Sequence, residues 1–312
     1  TGDPKREVFL SPEAQFSFSN FQFPSCQSCN EKYSSLESEV KRYFDRIFDK
    51  DYFSNYELDE LLDWFDKVRV GIWLGSLYLK KKVDLVSPKF HINHRIGTKD
   101  RCLFIYEMDS TQTLNGLTFL GPYSPGFDFI PSCFALRVNN IIFFNFSYEF
   151  LFSERIGFPY SSEIINNQPD RMTSFNFQIG KCRLKTPLIP SNFLKARTYL
   201  YQPIIPPEAY SNQNLFRFYN NDYVTQNTLK HKQGKGAIFH FEKNLQKVDE
   251  DVEIQLYDDS QRYSPISFPK RISKQVLFCL YDLIKKNSKR LPESATMFER
   301  ENVFELLKAH KS

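Results

Sequence analysis

The hydrophobic period of the chain changes near Pro88, and that change limits it to a mixed architecture. Before Pro88 the apolar residues recur at helical spacing. Leu36, Val40, Tyr43 or Phe44, Ile47 and Phe48 form one stripe, and Leu58, Leu61, Leu62, Phe65, Val68, Ile72 and Trp73 form another. Beyond Pro88 the period is two, in residues 102–106, 134–138, 141–146, 175–179 and 237–241, which read as strands. Asn139 and Asn140 separate two of these runs and predict a tight hairpin turn, because Asn tolerates positive φ. Ile272, Val276, Leu277, Leu280, Leu283 and Ile284 predict an amphipathic helix, and residues 301–308 a last short one. The expected class is α+β.

Local signals set the boundaries. Glu7-Val8-Phe9-Leu10 is strand-like, and residues 16–23 alternate aromatic with polar. Ser34-x-x-Glu37 reads as a capping box for the first helix and Ser54-x-x-Glu57 as one for the second. Asp49-Lys50-Asp51 ends the first stripe. Residues 71–75 are apolar all round, which predicts burial between layers, and Lys80, Lys81 and Lys82 close that helix at its negative end. Residues 187–207 are punctuated by proline and read as loop, with a short helix near 192–197. The division expected is a small N-terminal module over 1–48, a helical connector over 49–87 and a β-rich α+β body over 88–312.

Composition narrows the setting. At 312 residues the chain has room for about two domains. Its 32 Phe and 17 Tyr point to a core of large rings. A net charge of +4 permits local contact with nucleic acid but does not suit a dedicated non-specific binder. Cys102, Cys133, Cys182 and Cys279 stand apart in apolar surroundings, as free thiols of a reducing cytoplasm do. The longest apolar run, 68–79, is too short to cross a bilayer. The chain starts at Thr1 with neither Met nor a signal-peptide pattern, which reads as a trimmed N-terminus of a cytoplasmic protein.

One motif carries chemistry more directly than the rest. Cys26-x-x-Cys29-Asn30 opens into the first helix, with Lys32 in its first turn. Two thiolates at that spacing can hold one side of a tetrahedral Zn²⁺. Over about the first 40 positions the segment resembles an HNH-type endonuclease module, also called ββα-metal or treble-clef. That family has a Cys pair ahead of a Glu-His strand, an Asn that orients the His, and Cys-x-x-Cys-Asn at the start of the helix. The layout serves the reaction: a divalent cation polarises the scissile phosphate while a neutral imidazole deprotonates water. The resemblance implies a structural Zn²⁺ on Cys26 and Cys29 and a catalytic Mg²⁺ or Mn²⁺. It implies catalytic roles for Glu7, Asn20 and Asn30, and DNA contacts from Lys5, Arg6 and Lys32. It further implies a DNA substrate, an oligomer or complex, and by analogy a role in bacterial defence against phage beside an ATPase subunit. The chain departs from the family at Val8, which follows Glu7 where the base His belongs.

Other readings stay open at this level. Without the resemblance, Cys26 and Cys29 are an ordinary buried thiol pair, and Asn20 and Asn30 are turn or cap residues. Val8 favours a catalytically inactive, zinc-stapled scaffold or partner-binding protein, and a module for some other ligand is a third reading. His91 and His94 spell a short metal-like pair but read as a surface or junction pair. Residues 230–236 read as a basic, glycine-containing hairpin tip in solvent first and as a phosphate contact only then. Lys285, Lys286, Lys289 and Arg290 read first as charges of a helix end and only then as DNA contacts. Residues 121–126 read as a rigid turn that reverses the chain.

Overall fold

The computed structural model describes residues 7–11, 14–17, 26–82, 92, 96, 100–108, 115–122, 124–148, 159–167, 172–179, 197–203, 236–241, 245–248, 251–256, 262–263, 268–297 and 299–301. The fold is α+β. A first hairpin pairs β1 (Glu7–Ser11) with β2 (Ala14–Ser17), with Glu7 opposite Ser17 and a register shift between Phe9 and Ser11. Two long helices follow, α1 (Gln27–Phe48) and α2 (Asn55–Leu79), with the two-residue strand β3 (Tyr52–Phe53) between them.

The two helix starts differ from one another. Ser54 caps α2 as expected: its Oγ accepts from the Glu57 amide at 3.3 Å, and Glu57 accepts from the Ser54 amide at 2.9 Å. Ser34 does not cap α1. That helix is already running from Gln27, and the Ser34 hydroxyl donates to the Glu31 carbonyl inside it at 2.7 Å. A Ser with Glu three residues on therefore also occurs as a back-bonded pair on a polar helix face. α1 ends at Phe48, and Lys50 just beyond it, with a φ of 58°, is the left-handed stop. Arg46 binds that corner together, donating to Asp51 at 3.0 Å and lying 4.5 Å from the Phe53 ring centroid.

The main sheet has the order β12-β11-β10-β4-β7-β6-β5. Its strands are β4 (Asp100–Met108), β5 (Leu117–Leu120), β6 (Cys133–Val138), β7 (Ile141–Tyr148), β10 (Arg197–Pro203), β11 (Gly236–Phe241) and β12 (Leu245–Lys247). Neighbours on this path are antiparallel, and β14 (Arg262–Tyr263) adds a parallel pair with the end of β4. β5, β6 and β7 form a meander, and β7 returns beside β4, the order of a Greek key. Asn139, at φ 51°, makes the expected turn between β6 and β7. β8 (Pro159–Asn167) and β9 (Met172–Ile179) make a separate hairpin, and β13 (Ile254–Gln255) pairs β3. The stretch 187–207, expected as loop, contains β10: its main chain completes an edge of β4, and Pro203 falls at the strand's end, where it breaks least. Residues 192–196 and most of the expected helix at 301–308 lie outside the described residues.

Strand alternation sorts the sheet into two faces. On one, Phe143 of β7 meets Phe44 of α1 at 5.4 Å and Phe65 of α2 at 5.5 Å between ring centroids. On the other, Cys133 of β6 lies beside Cys279 of α4 (Phe268–Asn287), and Asn287 donates to the Tyr148 hydroxyl at 2.6 Å. The sheet is thus sandwiched between the α1–α2 layer and α4. One apolar cluster runs through all three layers, from Val40 and Leu58 through Phe104 and Phe144 to Val276 and Ile284. The short helix α3 (Pro125–Phe129), capped by Ser124, follows a turn at Gly121. It ties the layers together at one end, where the Trp73 indole donates to the Asp128 carbonyl at 2.8 Å and Lys80 pairs with the Asp128 carboxylate at 2.9 Å. No helix among the described residues is long and apolar enough to cross a membrane.

Candidate functional site

The thiol turn sits at the very start of α1. Cys26 immediately precedes the helix, and its carbonyl accepts the first helical hydrogen bond, from the Asn30 amide at 3.0 Å. Positions 26, 29 and 30 are spaced i, i+3 and i+4 along the chain. Cys26 is exposed, with its sulfur 3.6 Å from the Ser28 hydroxyl. This rules out an ordinary buried thiol for Cys26. Asn30 and Lys32 are exposed as well, and the Lys32 ammonium lies 5.8 Å from the Tyr33 ring centroid. The unsatisfied amides at a helix start favour negative charge, which suits a thiolate, a metal–thiolate centre or a phosphate.

Glu7 opens β1, on the hairpin that precedes the turn in the chain. Its side chain and that of Cys29 lie outside the described residues, as do Lys5, Arg6 and Asn20 entirely. His91, His94 and residues 230–235 lie outside them too. As a zinc site the turn is half of a donor set: two thiols at the right spacing, where a structural centre needs four ligands. No group of three or more His, Cys, Asp or Glu that could hold a metal occurs among the described residues. The remaining donors of a complete centre would have to come from elsewhere.

A second constellation escaped the sequence reading. Arg101 of β4 is fully buried beneath α2. Its guanidinium donates to Asp59 at 2.6 Å and to Asp63, and stands 3.8 Å from Asp66. Asp66 in turn accepts from Arg69 at 2.6 Å. Arg69 also donates to the Pro131 carbonyl at 2.9 Å and to the side-chain oxygen of Asn145 on β7. Asn145 is buried, and its amide nitrogen has no acceptor among the described residues. The signal for this seam was present as Asp59-x-x-x-Asp63-x-x-Asp66-x-x-Arg69, one polar ribbon along a helix. Such a ribbon ordinarily faces water. Here it faces the sheet because a strand supplies Arg101 at the matching place. The arrangement bears on how α2 docks, since each of the three carboxylates meets a guanidinium from its own turn or from β4.

No family model, no curated protein and no solved structure matches this chain.

Proposed function

We propose that the chain is an HNH-type, metal-dependent endonuclease that hydrolyses DNA phosphodiesters. The observation that carries the reading is the order of its first elements: an antiparallel hairpin, then Cys26-x-x-Cys29-Asn30 at the mouth of a 22-residue helix. In this reading Cys26 and Cys29 supply two ligands of a structural Zn²⁺, with two further donors completing it. Glu7, Asn20 and Asn30 face the reacting phosphate with Mg²⁺ or Mn²⁺, and Lys5, Arg6 and Lys32 contact the DNA backbone as point charges. The β-rich body over 88–312 serves target choice or the docking of a partner such as an ATPase subunit, in a cytoplasmic assembly for defence against phage.

Val8 supports a second reading, in which the module keeps its zinc staple and has lost its base. Two measurements separate the readings. Metal analysis of purified protein is expected to find about one Zn per chain, and Cys26→Ser should remove it. Supercoiled plasmid incubated with Mg²⁺ or Mn²⁺ should be nicked by the protein and not by Asn30→Ala. Zinc without nicking would favour the scaffold, and a metal-free protein would end both readings.

A further inference from the structure

Three buried thiols belong to the face of the sheet that α4 covers. Alternation identifies that face. Phe104 and Phe144 lie on it ring against ring, 5.6 Å between centroids, and Tyr148 reaches Asn287 of α4 from it. Cys102 pairs Phe146 and Phe146 pairs Cys133, so the two cysteines stand in one row across β4, β7 and β6 with a ring between them. Cys279 comes to this row from α4, which is held on either side of it. Three residues before Cys279, Val276 packs so close to Gly121 that a Cβ there would lie 2.3 Å from Val276 Cγ1. Gly121 follows β5, whose last residue, Leu120, pairs Ala135, two positions from Cys133. About two turns beyond Cys279, Asn287 donates to the Tyr148 hydroxyl at 2.6 Å, and Tyr148 stands two positions along β7 from Phe146. With no side chain at Gly121 and only a thiol at Cys133, α4 comes down onto the strands there. Cys133 and Cys279 are free, at 0% and 3% exposure. Burial, with Cys279 beside it, pushes the Cys133 thiol well up, so that it rests protonated.

We propose that Cys133 and Cys279 are a peroxide-oxidisable pair whose disulfide locks α4 to β6. The inference stands apart from the nuclease reading, because it uses no residue of the thiol turn. Cys102 and Cys133 are two strand spacings apart, roughly 9–10 Å. A disulfide spans a Cα separation of about 4.4–6.8 Å, which leaves Cys279 as the partner of Cys133. The chemistry takes two steps, each at a thiolate formed when α4 lifts and water reaches the sulfurs. In the first, one thiolate attacks hydrogen peroxide. An S–O bond forms, the O–O bond breaks, and the departing hydroxide takes the proton that the thiol released, leaving a sulfenic acid and water. In the second, the other thiolate attacks that sulfur. The S–S bond forms, the S–O bond breaks, and the second hydroxide leaves as water with the second thiol's proton. The two sulfurs together give up two electrons, and the peroxide is reduced to water. The bridge encloses everything from β7 to β14, so it removes much freedom from the unfolded chain.

The test holds the purified chain in dilute hydrogen peroxide until the reaction is complete. The protein is then denatured, alkylated and digested without reductant, and its peptides are mapped by mass spectrometry. A peptide pair joined through Cys133 and Cys279 is expected, and dithiothreitol should return both residues to alkylatable thiols. Oxidation should raise the melting temperature of the wild type by roughly 5–10 °C and leave that of Cys279→Ser where it was. The comparison removes any effect of Cys26 and Cys29, which both proteins carry. Cys133 and Cys279 still alkylated, oxidised singly to sulfinic acid, or joined to other cysteines would overturn the proposal, as would a bridge that leaves the melt unchanged. Should Cys279→Ser not fold, the peptide map and melt of the wild type decide alone.

Discussion

Gly121→Ala is the sharpest test of how α4 rests on the sheet. Gly121 follows β5 with φ +102°, and a Cβ built there would lie 2.3 Å from Val276 Cγ1 and 3.3 Å from Val276 Cβ. Two costs combine. An L-residue held at such a positive φ loses about 1–2 kcal/mol. Forcing a methyl into a packed contact adds about 1–3 kcal/mol, because the neighbour to be displaced is a β-branched side chain with few alternative rotamers. The expected loss is about 2–5 kcal/mol. For a chain of this size each kcal/mol moves Tm by roughly 2–4 °C, so the melt should drop by about 5–15 °C. Circular-dichroism melts and urea unfolding measure it. A double-mutant cycle with Val276→Ala then divides the cost. Removing Cγ1 should recover the steric part and leave the backbone part, giving a coupling of about 1–3 kcal/mol. A Gly121→Ala protein within about 0.5 kcal/mol of the wild type, or a cycle with no coupling, would refute this account of the α4 contact.

Two further expectations follow from the same packing. Arg101→Met should cost about 3–5 kcal/mol in urea unfolding at neutral pH, because the buried Asp59 and Asp66 then lose a shared cation while remaining covered. A loss under about 1 kcal/mol would mean that the seam is wetter than its geometry. Ser54→Ala should cost about 1 kcal/mol through the lost α2 cap, whereas Ser34→Ala, in mid-helix, should cost close to nothing or stabilise slightly. Equal effects of the two on the melt would remove the distinction drawn between them.

Legibility in the sequence followed the reach of the interactions involved. The β6–β7 hairpin was readable because Asn139 and its flanking strands are contiguous and the turn needs only a positive φ. The second helix was readable because its cap, Ser54 with Glu57, spans only four residues. Ser34 misled for the same reason: a four-residue pattern cannot tell whether a helix has already begun. β10 was missed because prolines on both sides of it outweighed the short run Tyr199-Leu200-Tyr201, and what makes that run a strand is the edge of β4. The Asp–Arg seam was the least legible element. Whether Asp59, Asp63 and Asp66 face water or a guanidinium depends on Arg101, which no local spacing links to them. On the candidate site, the sequence supplied the thiol turn and the exposure of Cys26 came only from the structure, while Glu7 and Asn20 rest on the family resemblance.

The pairing of Ile105 with Arg197 has a bearing on how the chain is made. During synthesis at roughly 5–20 residues per second, α1, α2 and the β4–β7 strands emerge first, and one flank of β4 has no mate until β10 has left the ribosome. For those seconds a run of bare amides and carbonyls lies open beside Leu103 and Ile105, a template for pairing with a neighbouring nascent chain. A gene product stopped after β7 would keep that flank permanently bare, so truncated forms should gather into insoluble material while the full-length chain stays dispersed.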